Sequence, residues 1–315
     1  MNENYMERIE SVRKEINKVV IGKADVVDKV FMAMLAGGHI LLEDIPGVGK
    51  TTMALAFASA LGLDFKRVQF TPDVLPSDIV GFGMYNGMSQ EMEYKPGAVV
   101  CNLFLADEIN RTSSKTQSAL LEVMEEGKVT VDGITRILPE PFVVIATQNP
   151  SGSVGTHNLP ESQLDRFMIR LSMGYPAVEN EVEILKGKNN RQVPDWISGI
   201  ITVEEFVQLK ELADSVFVHD AMYDYIARLA KATRENSALS LGLSPRGSLS
   251  LCAMAKAMAL MKGRKYILPD DVMNTFEDVA SHRVVLSSAA RIEKKTTKDI
   301  LAKILQMVKA PKIKA

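Results

Sequence analysis

The sequence predicts an α/β core built on a parallel sheet around a phosphate-binding loop, followed by an all-α domain. Short apolar runs come first: His39-Ile40-Leu41-Leu42 leads into Asp44-Ile-Pro-Gly-Val-Gly-Lys-Thr51, and Leu103-Phe104-Leu105-Ala106 ends on Asp107-Glu108. Runs of that length suit strands buried on both faces of a parallel sheet, whose carboxyl edge is where such folds bind ligands. Strand-like and helix-like stretches then alternate as far as Tyr175-Pro176, and beyond it helical periodicity prevails. The expected division is a core over 1–175 and a helical domain over 176–315, which suits a chain of 315 residues.

Each element follows from local signals. Residues 3–18 read as an amphipathic helix, 19–22 as extended and 24–36 as a second helix. The strand at 39–42 and its glycine loop lead to an Ala-rich helix that ends near Leu61-Gly62. A second strand at 65–70 and a proline-rich connection at 71–78 follow. The segment 80–96 holds three glycines and several methionines and fits neither period, so it reads as an insertion of short strands and turns. The acidic-pair strand precedes a helix at 112–126, where Ser114 and Gln117 have capping-box spacing and Gly127 follows the last turn. Alternation over 128–138 around Asp132-Gly133 is a strong hairpin signal. A buried strand at 142–146 runs into Thr147-Gln148-Asn149-Pro150. The later helices are expected at 178–186, 203–214, 220–235, 244–262, 269–281 and 297–309. The helix from Ser244 has a capping serine, Pro245 in its first turn and Gly263 beyond its end. The short basic tail 309–315 reads as a frayed, solvated end.

Composition narrows the function classes. With 37 basic against 39 acidic residues, the net charge of −2 argues against nucleic acid as the default partner. Cys101 and Cys252 have no nearby histidine and are too few for a disulfide framework, so both are expected in the core of a protein kept in a reducing compartment. The polar, acidic start lacks the pattern of a signal peptide, and no uninterrupted apolar run reaches the ~18 residues of a membrane span. The expectation is a cytoplasmic protein without a membrane span. His39, His157, His219 and His282 are scattered, and no grouping has metal-ligand spacing.

The chemistry concentrates at three strand ends. Gly47 and Gly49 free backbone N–H groups to turn toward an anion, and the helix opening at Lys50-Thr51-Thr52 adds its positive end. The cradle therefore comprises Pro46, Gly47, Val48, Gly49, Lys50, Thr51 and Thr52. Lys50 is placed to reach the β- and γ-phosphates of a nucleoside triphosphate, and Thr51 to hold Mg²⁺. Asp44 occupies the first glycine position of G-x-x-x-x-G-K-[ST]. Asp107 would hold Mg²⁺ through water, and Glu108 would polarise the attacking water. Asn149 would orient that water or touch the γ-phosphate; the plain alternative is a turn residue before proline. Arg166 reads either as an arginine finger or as a surface partner of Asp165. Arg246 opposes the dipole of the helix it starts, which a nearby phosphate would explain.

With these motifs in this order, the chain resembles the MoxR family of AAA+ ATPases over nearly its whole length. The resemblance rests on 41–51, Phe70-Thr-Pro-Asp-Val-Leu-Pro-Ser-Asp78, Leu105-Ala-Asp-Glu-Ile-Asn-Arg111, Lys115-Thr-Gln-Ser-Ala-Leu-Leu-Glu122, Ala146-Thr-Gln-Asn-Pro150, Leu159-Pro-Glu-Ser-Gln-Leu-Asp-Arg-Phe167 and Ser244-Pro-Arg246. It implies an AAA+ core with an insert in its second helix, then a helical lid. By similarity, Lys50 and Thr51 are Walker A residues, Asp107 and Glu108 Walker B, Asn149 sensor 1 and Arg246 sensor 2. Arg166 looks like the arginine finger, with Arg111 as rival, and Val20-Ile21-Gly22 looks like the segment that packs on adenine. The resemblance further implies a self-assembled ring, usually a hexamer, with nucleotide between subunits, and makes 80–96 and 128–138 the parts that face the ring's axis or partner. The expected work is chaperone-like remodelling or activation of a client protein. That partner is expected to carry a von Willebrand factor A domain on another polypeptide, because this chain ends shortly after its lid. The rival readings are a nucleic-acid-stimulated motor, which lacks any recognisable DNA-binding module here, and a nucleotide-gated scaffold, against which Glu108 argues.

Overall fold

The structure, a computed structural model, describes residues 4–45, 47–149, 159–186 and 199–312. Helices α1 (Asn4–Val19) and α2 (Ala24–Leu35) precede β1 (Ile40–Glu43), α3 (Lys50–Ala60), β2 (Phe65–Gln69) and the short α4 (Pro76–Val80). A hairpin of β3 (Gly81–Asn86) and β4 (Glu91–Pro96) leads to β5 (Leu103–Asp107), a 3₁₀ turn at Ile109–Arg111 and α5 (Ser114–Glu126). A second hairpin, β6 (Lys128–Val131) with β7 (Ile134–Ile137), is followed by β8 (Val143–Gln148), α6 (Glu161–Leu164), β9 (Ile169–Leu171) and α7 (Val178–Lys186). The remainder is α8 (Val203–Asp214), α9 (Asp220–Arg234), β10 (Leu239–Leu241), α10 (Pro245–Met261), α11 (Pro269–Ala280), β11 (Val285–Leu286), α12 (Ser288–Ile292) and α13 (Thr297–Met307).

The main sheet has five parallel strands in the order β2-β5-β8-β1-β9. Its inner strands β5, β8 and β1 are mostly apolar because both faces are covered, whereas edge strand β2 carries Lys66, Arg67 and Gln69, and the two-residue period sorts the side chains between the faces. Ile40, Leu42, Leu103, Leu105, Val143 and Ile145 pack with α1, α2 and α3 on one face. Leu41, Phe104, Ala106, Val144 and Ala146 pack with α5 on the other. A side chain such as Phe104, fully buried, contributes on the order of 1.5–3 kcal/mol by leaving water. The first cluster continues without a break into α8, α9, α10, α11 and α13, so the later helices share one core with the sheet. Register then brings three strand ends level: Glu43 lies opposite Gln148, and Ala106 opposite Ala146.

Local details depart from expectation where tertiary contacts decide. Residues 19–22 form the end of α1 and a turn, with Gly22 at φ 71, in place of an extended segment. The connection at 71–78 already contains the start of α4. Ser113, whose side chain accepts from Thr116 N, caps α5 in place of Ser114. Strand β8 runs on to Gln148, and the helical region carries an antiparallel pair, β10 with β11. Asp132 and Gly133 take φ 51 and 74, the paired left-handed turn that matches the twist of a two-residue hairpin. Cys101 is buried, whereas Cys252 is only half-buried.

Candidate active site

The phosphate loop joins β1 to α3. Gly47 (φ 86) and Gly49 (φ 94) take conformations that side chains disfavour, and nothing lies within 4 Å of where a Cβ on Gly47 would stand. The backbone around them is thus open to a ligand. Lys50 starts α3, and its Nζ donates to Asp44 O at 2.8 Å and Ile45 O at 3.3 Å. Burial pushes its ammonium below the ordinary lysine range, while Asp44, Asp107 and Glu108 pull it back up. A buried, partly desolvated cation beside open N–H groups suits a polyanion. Thr51 and Thr52 follow in the first turn, both half-buried. Val48 packs against the main core, and Pro46 lies outside the described residues.

Asp107 and Glu108 leave the end of β5 beside β8. Thr147 donates its hydroxyl to Asp107 Oδ1 at 2.6 Å and accepts from Glu108 N at 2.8 Å, so one side chain fixes both acids. Arg67 pairs with Asp107 Oδ2 at 2.6 Å from the neighbouring β2. Glu108 stands at φ 59, a left-handed conformation that a non-glycine residue holds only when its surroundings impose it. Its carboxylate receives Asn149 Nδ2 at 3.2 Å and Arg111 Nε at 2.9 Å. Asn149 is buried, and its Oδ1 has no hydrogen-bond partner among the described residues. An unsatisfied buried acceptor beside Glu108 is a place for a water proton. The oxygen donors Thr51 and Asp107 are the type that a hard cation such as Mg²⁺ takes.

Arg166 and Arg246 gather elsewhere. Arg166 Nη2 pairs with Glu125 Oε2 at 3.0 Å, and Arg246 Nη2 pairs with Glu125 Oε1. Asp165, the other partner considered for Arg166, is taken by Arg283 at 2.7 Å and by Ser244. Glu125 lies in the last turn of α5, eleven residues and about 16 Å along the axis from Ser114, the end nearest Asp107–Glu108. Arg166 also precedes β9, at the amino edge of a sheet whose loop and acids lie at the carboxyl edge. The structure therefore brings Lys50, Thr51, Asp107, Glu108 and Asn149 to one edge and leaves Arg166 and Arg246 together at the other.

Val20 is buried beside the turn of Ile21 and Gly22, and Asn180 of α7 lies where a Cβ on Gly22 would fall. The motif reading missed Thr147, Arg67 and Glu125. Thr147 lay within a quoted stretch, but its role depends on the β5–β8 register; Arg67 and Glu125 carry no local sign beyond a charge.

A family model described as ATPase family associated with various cellular activities (AAA) matches residues 39–169, and one described as AAA lid domain matches 231–304. The chain is 46% identical over 298 residues to YeaC of Bacillus subtilis, covering 95% of this chain and 93% of that protein. It is 39% identical over 310 residues to the chaperone MoxR1 of Mycobacterium tuberculosis, covering 96% of this chain and 82% of that protein. The crystal structure of a candidate ATPase from Cytophaga hutchinsonii superposes with a TM-score of 0.91 at 37% identity, covering 98% of this chain and 96% of that one.

Proposed function

The chain belongs to the MoxR family of AAA+ ATPases, and from that membership and its cleft we propose that it works as a ring, remodelling or activating a partner protein with Mg²⁺-dependent ATP hydrolysis. It is an ATPase. We assign residues 1–175 to the core and 176–315 to the lid. The convergence of Lys50, Asp107, Glu108 and Asn149 at one strand edge carries this reading. Backbone N–H groups of 47–51 and Lys50 hold the triphosphate, with Val20, Ile21 and Gly22 against the base. Thr51 and Asp107 would hold Mg²⁺, which when bound neutralises charge on the transferring phosphoryl group. Glu108 polarises the water that attacks the γ-phosphorus, and Asn149 orients it.

Hydrolysis also needs cations on the γ-phosphate. Arg166 and Arg246 meet on Glu125, about 16 Å along α5 from the end nearest their own acids, so we assign both to a neighbour's nucleotide. That geometry supports a closed ring, six subunits by family resemblance. In it the exposed Phe82, Met84, Met88 and Met92 of the first hairpin and Ile137 of the second face the client, for which a von Willebrand factor A domain protein is the favoured class. Among the described residues no helix is long and apolar enough to cross a membrane; we assign the protein to the cytoplasm.

Subunit mixing tests the ring. Arg166→Ala and Glu108→Gln should each lose on the order of 10³-fold in turnover while keeping ATP affinity, and mixing them should restore activity at interfaces that combine an intact Glu108 with an intact Arg166. A mixture as inactive as its components removes Arg166 as the finger and leaves Arg111 the better one.

A further inference from the structure

We propose that Asp44 is a positioning residue that ties the phosphate loop to the connector 172–175, so that what the loop binds is relayed to the helical lid. The inference rests on reading 47–51 as the phosphate loop. Asp44 stands where loops of this spacing begin with glycine. A carboxylate only 6% exposed, at the foot of a loop that attracts anions, is costly unless its oxygens are satisfied.

The connector satisfies them. Asp44 Oδ2 accepts from Ser172 Oγ at 3.0 Å, Met173 N at 2.5 Å and Gly174 N at 2.6 Å, while Oδ1 accepts from Ile45 N at 3.0 Å. Charge-assisted bonds of this kind are roughly twice as strong as neutral ones. On its main chain the same residue is held by the loop lysine, since Lys50 Nζ donates to Asp44 O at 2.8 Å. One residue is thus gripped from both sides: the phosphate-seeking cation holds its carbonyl, and its carboxylate holds the connector.

The connector is fastened at two further points of the cleft. Lys23, next to the Val20-Ile21-Gly22 turn, donates to Met173 O and, at 2.8 Å, to Tyr175 O. The Met173 side chain comes within 3.9 Å of where a Cβ on Gly49 would stand. From Tyr175 the chain passes directly into α7, whose Asn180 covers Gly22. When Lys50 turns to a phosphate it gives up Asp44 O, and the loop's first residue is released on one side only. The connector, still bound to the carboxylate, moves with it. A glycine in this position would leave the loop free to respond alone.

Amide hydrogen exchange and steady-state kinetics on the full chain test this, with and without ATPγS. Asp44→Gly should keep nucleotide affinity within about threefold, lose about tenfold in kcat, and exchange the Met173 and Gly174 amides about tenfold faster with no response to nucleotide. Asp44→Asn, which keeps an acceptor oxygen, should recover most of the protection and turnover. Ser172→Ala, an exposed change that leaves the loop intact, should move exchange and kcat in the same direction by a smaller factor even where Asp44→Gly fails to fold. Wild-type exchange at 173–174 in Asp44→Gly or, if it does not fold, in Ser172→Ala overturns the proposal. So does a loss of nucleotide affinity in Asp44→Gly beyond about tenfold, or an Asp44→Asn no better than glycine. Lys50→Ala separates the premise: retained ATPγS affinity there removes the loop reading itself.

Discussion

His39 shows what a single buried residue does at the start of β1. Its Nδ1 accepts from Val144 N at 3.0 Å and its Nε2 faces Met124 O at 2.9 Å, which requires a neutral ring carrying its proton on Nε2. Burial lowers its pKa from 6.5 to about 4. The unfolded chain therefore takes up a proton first as pH falls. Stability from this group is constant above about pH 6.5, declines between about 6.5 and 4, and is flat below; the total loss is about 3 kcal/mol. Urea unfolding at pH 7.5 and pH 4.5 checks it: the wild type should lose about 2–3 kcal/mol more than His39→Gln over that interval. Parallel losses in the two proteins exclude the buried neutral imidazole. His282, also held well below its ordinary value by burial, is common to both and cancels. Glu108 carries a different burden at this scale, a left-handed backbone that aims its carboxylate between Asn149 and Arg111.

Among the elements, α10 is the one whose start reaches the Arg166–Glu125 cluster. Ser244 accepts from Gly247 N at 3.0 Å, and its hydroxyl hydrogen goes to Asp165. The cap therefore fixes both the helix that carries Arg246 and the residue beside Arg166. Ser244→Ala should cost about 1–2 kcal/mol in urea unfolding, and Ser244→Thr should restore most of it because the capping oxygen returns. An alanine variant as stable as wild type removes the cap from the account. In the β6–β7 hairpin, by contrast, the turn is set by local chemistry. Asp132-Gly133 closes the tip of β6–β7, leaving Ile134 and Ile137 exposed, while Val129 and Leu138 anchor its base in the core.

For the whole molecule, Arg283 is the residue that joins lid to core. Its guanidinium, 3% exposed, pairs with Asp165 at 2.7 Å and donates to the carbonyls of Phe167, at 2.6 Å, and Met168, at 2.9 Å. Burial pushes its pKa down, and the Asp165 carboxylate opposes the shift. Arg283→Ala leaves Asp165 without its buried cation and several carbonyls without donors, so it should destabilise by about 3–5 kcal/mol in urea unfolding. Arg283→Lys should recover less than half, because an ammonium does not reproduce the planar fork. Full recovery by lysine reduces the contact to charge alone. Lys29 with Asp278, at 2.8 Å, adds a second bridge between α2 and α11. These contacts fix the segment before β9 to α10 and α11, with Arg166 and Arg246 on the same Glu125 carboxylate.

The loop, the acidic pair, the parallel strands and the order of helices after Tyr175 were determined by the sequence alone, because each depends on contacts within a few residues: glycine φ, apolar runs, caps. The same local logic missed the turn at 19–22 and the cap at Ser113, where a shift of one residue is decided by packing. Thr147 on both acids, Arg67 on Asp107, Asp44 on the connector and two arginines on Glu125 were decided only by the tertiary structure. These partners lie 39 or more residues apart in the chain. Hydrogen bonds and ion pairs of that kind depend on strand register and helix length, which fix where a side chain ends in space and leave no periodic trace along the chain.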